Sequence, residues 1–318
     1  MNQGPRVLDT PAELRLQSDR WRAAGMSIGL VPTMGALHEG HRSLVRRARA
    51  ECDRAVVSIF VNPTQFGPGE DLARYPRSLD TDLGLLAEER ADAVFVPGLA
   101  AMYPEGLTTA VRVNGALVEL WEGSARPGHL DGVALVVTKL LVAARADRAY
   151  FGAKDAQQCA VVRRLARDLD TGTEIVVCAT VRDQDGLALS SRNRYLDAEQ
   201  RRQALAIPRG LAAAGRAFAS GVRASAELID VVGASLAESP ALNPEYVAVV
   251  DADTFAQVDA ARVGSKILVA ARIGTARLVD TLALGIDELP KPGGVSEPTA
   301  VGGGEPGVAE RSRPCTVP

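Results

Sequence analysis

Two rhythms of apolar positions alternate along the chain. Short, nearly unbroken apolar runs suit strands covered on both faces. They occur at Ser27–Val31, Arg54–Val61, Ala93–Val96, Arg148–Phe151 and Glu174–Ala179. Between them apolar residues recur every three or four positions. That spacing predicts a helix opened by Thr10 and Pro11 and ended by Gly25, then helices over Arg42–Cys52, Leu79–Ala91, Val133–Ala146 and Ala156–Leu169. Strands alternating with helices imply an α/β fold with a doubly wound, parallel, Rossmann-like sheet. Ligands of such sheets bind beyond the carboxyl ends of the strands, where the strand order reverses.

The rhythm changes after Arg192. Two alanine-rich helices are predicted at Ala198–Gly221 and Ala224–Ser239, followed by strands at Tyr246–Val250, Lys266–Ala271 and Ala276–Leu284. Helices first and strands afterwards predict a smaller α+β domain. The expected division is residues 1–183, residues 184–289, and a tail over 290–318. The tail is rich in Gly, Pro, Ser and Glu and is expected to be disordered.

Composition narrows the reading. A formal net charge of −3 gives no reason to expect nucleic acid or a membrane surface as partner. Cys52, Cys159, Cys178 and Cys315 lack C-x-x-C spacing, which fits reduced thiols. No signal peptide or apolar run of membrane-spanning length is visible, so a cytoplasmic location is expected. Neither G-x-x-x-x-G-K-[ST] nor G-x-G-x-x-G occurs, so a nucleotide would need another cradle.

The segment Met34-Gly35-Ala36-Leu37-His38-Glu39-Gly40-His41 offers one. It follows the first buried strand and carries two of the three histidines in the chain. Residues three apart share a helix face, so His38 and His41 should point the same way at a helix N-terminus, where unpaired N–H groups favour phosphate. Paired imidazoles could donate to a phosphoryl group as charge develops. A helix-capping pair and a partial metal site are the competing readings. Three further segments follow predicted strands. Asn62–Gln65 carries an amide, Gly152–Asp155 carries Lys154 beside Asp155, and Val181 is followed by Arg182. Beside the expected domain junction, Leu189-Ser190-Ser191-Arg192 adds two hydroxyls and a guanidinium suited to a triphosphate. Gly67–Asp71 has the makings of a lid, and His129 reads as structural.

These stretches together resemble the pantoate–β-alanine ligase (pantothenate synthetase) family, within the H-x-G-H nucleotidyltransferases. The matching pieces are VPTMGALHEGH, SIFVNPTQF, EDLARYPR, AMYPEG, RPGHLDGV, FGAKDAQQ, the Val181-Arg182 pair, DGLALSSRNRYL and ILVAARIG, in family order from about Gly29 to Leu284. The resemblance implies ATP-dependent joining of pantoate to β-alanine through a pantoyl adenylate, with AMP and pyrophosphate released and Mg2+ accompanying the ATP. It implies ATP contacts at Met34 to His41, Gly152, Ala153, Lys154, Asp155, Val181, Leu189, Ser190, Ser191 and Arg192. It further implies catalysis by His41 with His38, pantoate on Gln65 and Gln158, β-alanine near Gln65, and a homodimer. Asp82 is a candidate magnesium ligand. Ala156, Leu189 and Leu130 depart from the residues usual at those places, yet none removes a polar catalytic group. A nucleotidyltransferase acting on a phosphate acceptor, or a non-catalytic nucleotide-binding module, is the alternative.

Overall fold

A computed structural model describes residues 4–287. Six strands form one parallel sheet: β1 (Arg6–Leu8), β2 (Ile28–Thr33), β3 (Arg54–Ile59), β4 (Ala93–Phe95), β5 (Arg148–Gly152) and β6 (Glu174–Cys178). Their order is β1-β4-β3-β2-β5-β6, so the chain moves outward from β2 to β4 and then returns to the other side of β2 with β5. The reversal lies between β2 and β5. That ladder pairs only Gly29 and Leu30 with Arg148 and Ala149, whereas β2 stays in register with β3 as far as Thr33. Pro32, which has no N–H to give, sits where the β2–β5 ladder has already ended. A crevice therefore opens beyond these two strand ends.

Apolar clusters cover both faces of the sheet. One contains Ile28, Leu30, Val56, Phe95, Val133, Val137 and Leu140, and the other Val31, Leu44, Val45, Val57, Leu86 and Tyr150. Strands buried on both sides account for the unbroken apolar runs. The helix from His129 to Ala144 contributes eleven buried residues and fills the space beneath the crevice.

A second sheet, antiparallel and three-stranded, contains β7 (Leu242–Val250), β8 (Lys266–Ile273) and β9 (Ala276–Ala283) in that order. It packs with helices Ala206–Ala219 and Ser225–Ala237 around its own core of Leu211, Phe218, Leu228, Val232 and Ile267. A further cluster joins the two halves, with Leu117, Leu130, Ala156 and Val161 meeting Ala248, Val250, Phe255 and Leu268.

Three sequence expectations change. Strand β1 was not predicted; its three residues hold the sheet edge through pairing with β4 alone. The helix expected over Ala198–Gly221 is two, Ala198–Ala204 and Ala206–Ala219. Pro208 cannot donate to the carbonyl of Ala204, which breaks the ladder at that point. The helix expected from Val133 begins at His129, after Gly128 in the left-handed region (φ 81°). The tail expected over 290–318, with Cys315, lies outside the described residues.

Candidate active site

At the end of β2 the backbone turns through Gly35 and Ala36, both with positive φ (80° and 50°). Asp82, 1% exposed, holds this turn by accepting from the N–H groups of Ala36 (2.9 Å) and Leu37 (2.8 Å). Asp82, the candidate magnesium ligand of the sequence, clamps the histidine turn. Among the described residues no three His, Cys, Asp or Glu side chains come together as a metal site.

The helix Glu39–Glu51 starts immediately afterwards, with His38 as its N-cap and His41 in its first turn. Their rings lie 4.1 Å apart, centroid to centroid, tilted by 37°. The backbone N–H of His38 donates to Nδ1 of His41 (3.3 Å), so the neutral ring of His41 carries its proton on Nε2. Burial, followed by the neighbouring His38, pulls the His41 pKa down to about 3. Burial, with Lys154 and Arg194 adding to it, pulls His38 down to about 4. Both imidazoles are therefore neutral donors at ordinary pH. Nδ1 of His38 is buried without a partner. Gly40 lies against that ring: a Cβ there would stand 3.0 Å from Cε1 of His38. The spacing of two histidines around a glycine thus has a packing cause.

The histidine rings face a cavity of about 220 Å³ in the crevice. All the strand-end segments picked out by sequence reach it. Met34, His38, Gly40 and His41 come from β2, Gln65 follows β3, and Gly152, Lys154, Asp155 and Gln158 follow β5. Val181 follows β6, and Leu189, Ser190, Ser191 and Arg192 close the far wall. Of the other expected ATP contacts, Gly35, Ala36, Leu37 and Glu39 shape the turn behind the rings, and Ala153 opens the short turn after Gly152; none of them lines the cavity. Phe60, Val133, Val136, Val137, Leu140 and Phe151 give one end of the cavity an apolar lining. No single segment of sequence could reveal that wall, because three distant elements build it.

Gln65, 9% exposed, is held by its neighbours. Its Oε1 accepts from Asn62 Nδ2 (3.1 Å), and its Nε2 donates to Sδ of Met34 (3.0 Å). Asn62 also receives the hydroxyl of Tyr103 (2.7 Å) and donates to the carbonyl of Gly132 (3.1 Å). Asn62 and Tyr103 were not singled out from sequence; a buried amide directly after a strand was the available signal. Lys154 sits 3.5 Å from Asp155. Burial in the crevice raises the Asp155 carboxyl, but Lys154 and Arg192 outweigh it and leave the pKa below the usual range.

The stretch expected as a lid is fastened. Asp71 accepts from Nε and Nη2 of Arg192, both at 2.9 Å. Glu70 accepts from Nε and Nη2 of Arg126, both at 2.7 Å. Ser191 ties the opposite wall to the histidine turn through its hydroxyl and the carbonyl of Ala36 (3.2 Å). Behind Val181, Arg182 makes a two-point ion pair with Asp280 of β9 (2.6 and 2.9 Å), buried on both sides.

Among known proteins, the family profile described as pantoate-beta-alanine ligase matches residues 6–283. Pantothenate synthetase of Acidobacterium capsulatum is 51% identical, covering 85% of this chain and 90% of that protein. Its counterpart from Rubrobacter xylanophilus is 50% identical, over 87% and 98% respectively. The pantothenate synthetase structure from Thermus thermophilus superimposes with a TM-score of 0.84 at 46% identity, covering 87% of this chain and 99% of that one. A pantoate-beta-alanine ligase from Francisella tularensis, solved with beta-gamma ATP and beta-alanine, gives 0.73 at 32% identity over 88% and 97%. Matched from one sheet edge to the last strand, and carrying the paired histidines at its topological switch point, this chain belongs to the pantoate–β-alanine ligase family.

Proposed function

We propose that this protein condenses pantoate with β-alanine at the expense of ATP, yielding pantothenate, AMP and pyrophosphate. The observation carrying this reading is the convergence of four strand ends on one cavity whose floor holds two neutral, adjacent imidazoles. An oxygen of the pantoate carboxylate attacks the α-phosphorus, and the bond to pyrophosphate breaks. Nε2–H of His41 then donates to the phosphoryl oxygen that gains charge. In the second step the β-alanine amine attacks the acyl carbon, loses a proton, and AMP departs with the bonding electron pair.

His38 and His41 would meet the phosphates, with Lys154, Ser190, Ser191 and Arg192 gripping the triphosphate. Gly152 and Asp155 would hold ribose, and Val181 would contact adenine. Gln65 and Gln158 would bind pantoate beside the apolar wall, with Gln65 also near β-alanine. The neutral amides favour a carboxylate and hydroxyls over a phosphate acceptor, which would call for more cations. Magnesium enters as part of MgATP, because the described side chains form no cage for a resident ion. No reaction step is assigned to it.

We further propose a division near residue 183, a homodimer and a cytoplasmic location. The separate apolar cores of the two sheets support the division. No described helix is long and apolar enough to cross a membrane. Incubation with ATP, pantoate and β-alanine should release AMP and pantothenate in equal amounts. Release of ADP, or absence of turnover, would contradict the reading.

A further inference from the structure

Gln65 is seated on the first turn of the helix His129–Ala144 by three separate contacts. Nδ1 of His129 donates to the Gln65 carbonyl at 2.8 Å. Gly132 accepts from Asn62, the residue that holds the Gln65 side chain. At Gly132 the backbones touch so closely that a Cβ would stand 2.2 Å from the carbonyl oxygen of Thr64 and 2.7 Å from the nitrogen of Gln65. The other ring nitrogen of His129 accepts from Nη1 of Arg126 (2.9 Å). Arg126 also reaches the Gln65 carbonyl through Nη2 (3.2 Å) and holds Glu70 at two points. His129 is 8% exposed, and burial together with Arg126 keeps it neutral with a pKa of about 4. Donating from Nδ1 and accepting at Nε2 is what one neutral tautomer can do.

We propose that His129 is a positioning residue for the substrates held by Gln65, joining the carbonyl of Gln65 to Arg126 and hence to the Glu70 loop as one unit. It acts on pantoate and β-alanine and leaves the ATP side of the cavity untouched. The inference rests on the reading that Gln65 binds those two substrates. Arg126 shares the Gln65 carbonyl, Gly132 abuts the peptide before it and Asn62 holds the side chain, so losing the His129 bond shifts the side chain that the substrates meet without removing it.

The test compares His129→Ala, His129→Asn and His129→Gln by steady-state kinetics for each substrate and by thermal midpoint. Asn can keep the donation made by Nδ1, whereas Gln reaches towards Arg126 without it. For Ala and Gln we expect KM for pantoate and β-alanine to rise roughly tenfold, the size of one lost hydrogen bond, with KM for ATP within about twofold. His129→Asn should recover most of the wild-type values, and that contrast with Gln stands even if the Ala variant does not fold. Parallel loss for all three substrates, following the thermal midpoint, would overturn the inference, as would unchanged KM values or equal behaviour of Asn and Gln. A wild-type protein forming no pantothenate would sink the proposed activity itself, a result separable from any pattern among the variants.

Discussion

At the scale of single residues, the site depends on imidazoles that stay uncharged. Removing the Nε2 donor in His41→Ala should slow adenylation by ~10²–10³-fold, the usual effect of losing one such donor. Single-turnover release of pyrophosphate measures it, and a near-normal rate would take His41 out of the chemistry. The same neutrality fixes a pH dependence. An unfolded histidine titrates near 6.5, whereas His38, His41 and His129 fold with values of about 4, 3 and 4. The unfolded chain therefore binds protons that the folded chain refuses. Stability from this source is fully present above about 6.5 and declines as pH falls towards 4. Urea midpoints at pH 7 and pH 5 should show the drop, and equal midpoints would contradict it. The histidine pair was legible in sequence because both rings and the glycine between them lie within four positions. The partnership of His129 with Gln65 was not, since 64 residues separate them and only the fold brings them together.

At the scale of elements, strands buried on both faces announce themselves, and β2, β3 and β5 were all predicted. A three-residue edge strand such as β1 carries no periodicity to read. Sequence also cannot reveal which buried charges couple elements. Arg182 and Asp280, 6% and 3% exposed, tie the segment after β6 to β9. Asp280→Asn leaves the guanidinium buried and unpaired, and should cost ~3–5 kcal/mol in chemical denaturation. A loss below about 1 kcal/mol would mean that Arg182 finds another partner. Closer to the chemistry, Gly40→Ala places a methyl 3.0 Å from the ring of His38. Catalysis should fall far more than stability, which comparing kcat with the thermal midpoint would reveal.

At the scale of the whole molecule, both fold classes were readable from the order of helix and strand signals, but the strand order was not. Which strands become neighbours is decided by packing between distant segments, and the switch point between β2 and β5 follows from that. The shared cluster of Leu117, Leu130, Phe255 and Leu268, with Glu122 accepting from both Arg277 (2.6 and 2.8 Å) and Tyr246, binds the two sheets together. A single calorimetric transition is therefore expected, with calorimetric and van't Hoff enthalpies in agreement. Two resolved transitions would mean that the halves unfold independently.

Asp71 gives Arg192 a carboxylate where the proposed chemistry would give it a phosphate. The protein thus carries its own rival to the nucleotide. On the proposed grip of Arg192 on the triphosphate, phosphate and the Asp71 carboxylate would compete for one guanidinium. Neutralising that competitor in Asp71→Asn should lower KM for ATP, and an unchanged KM would contradict the competition.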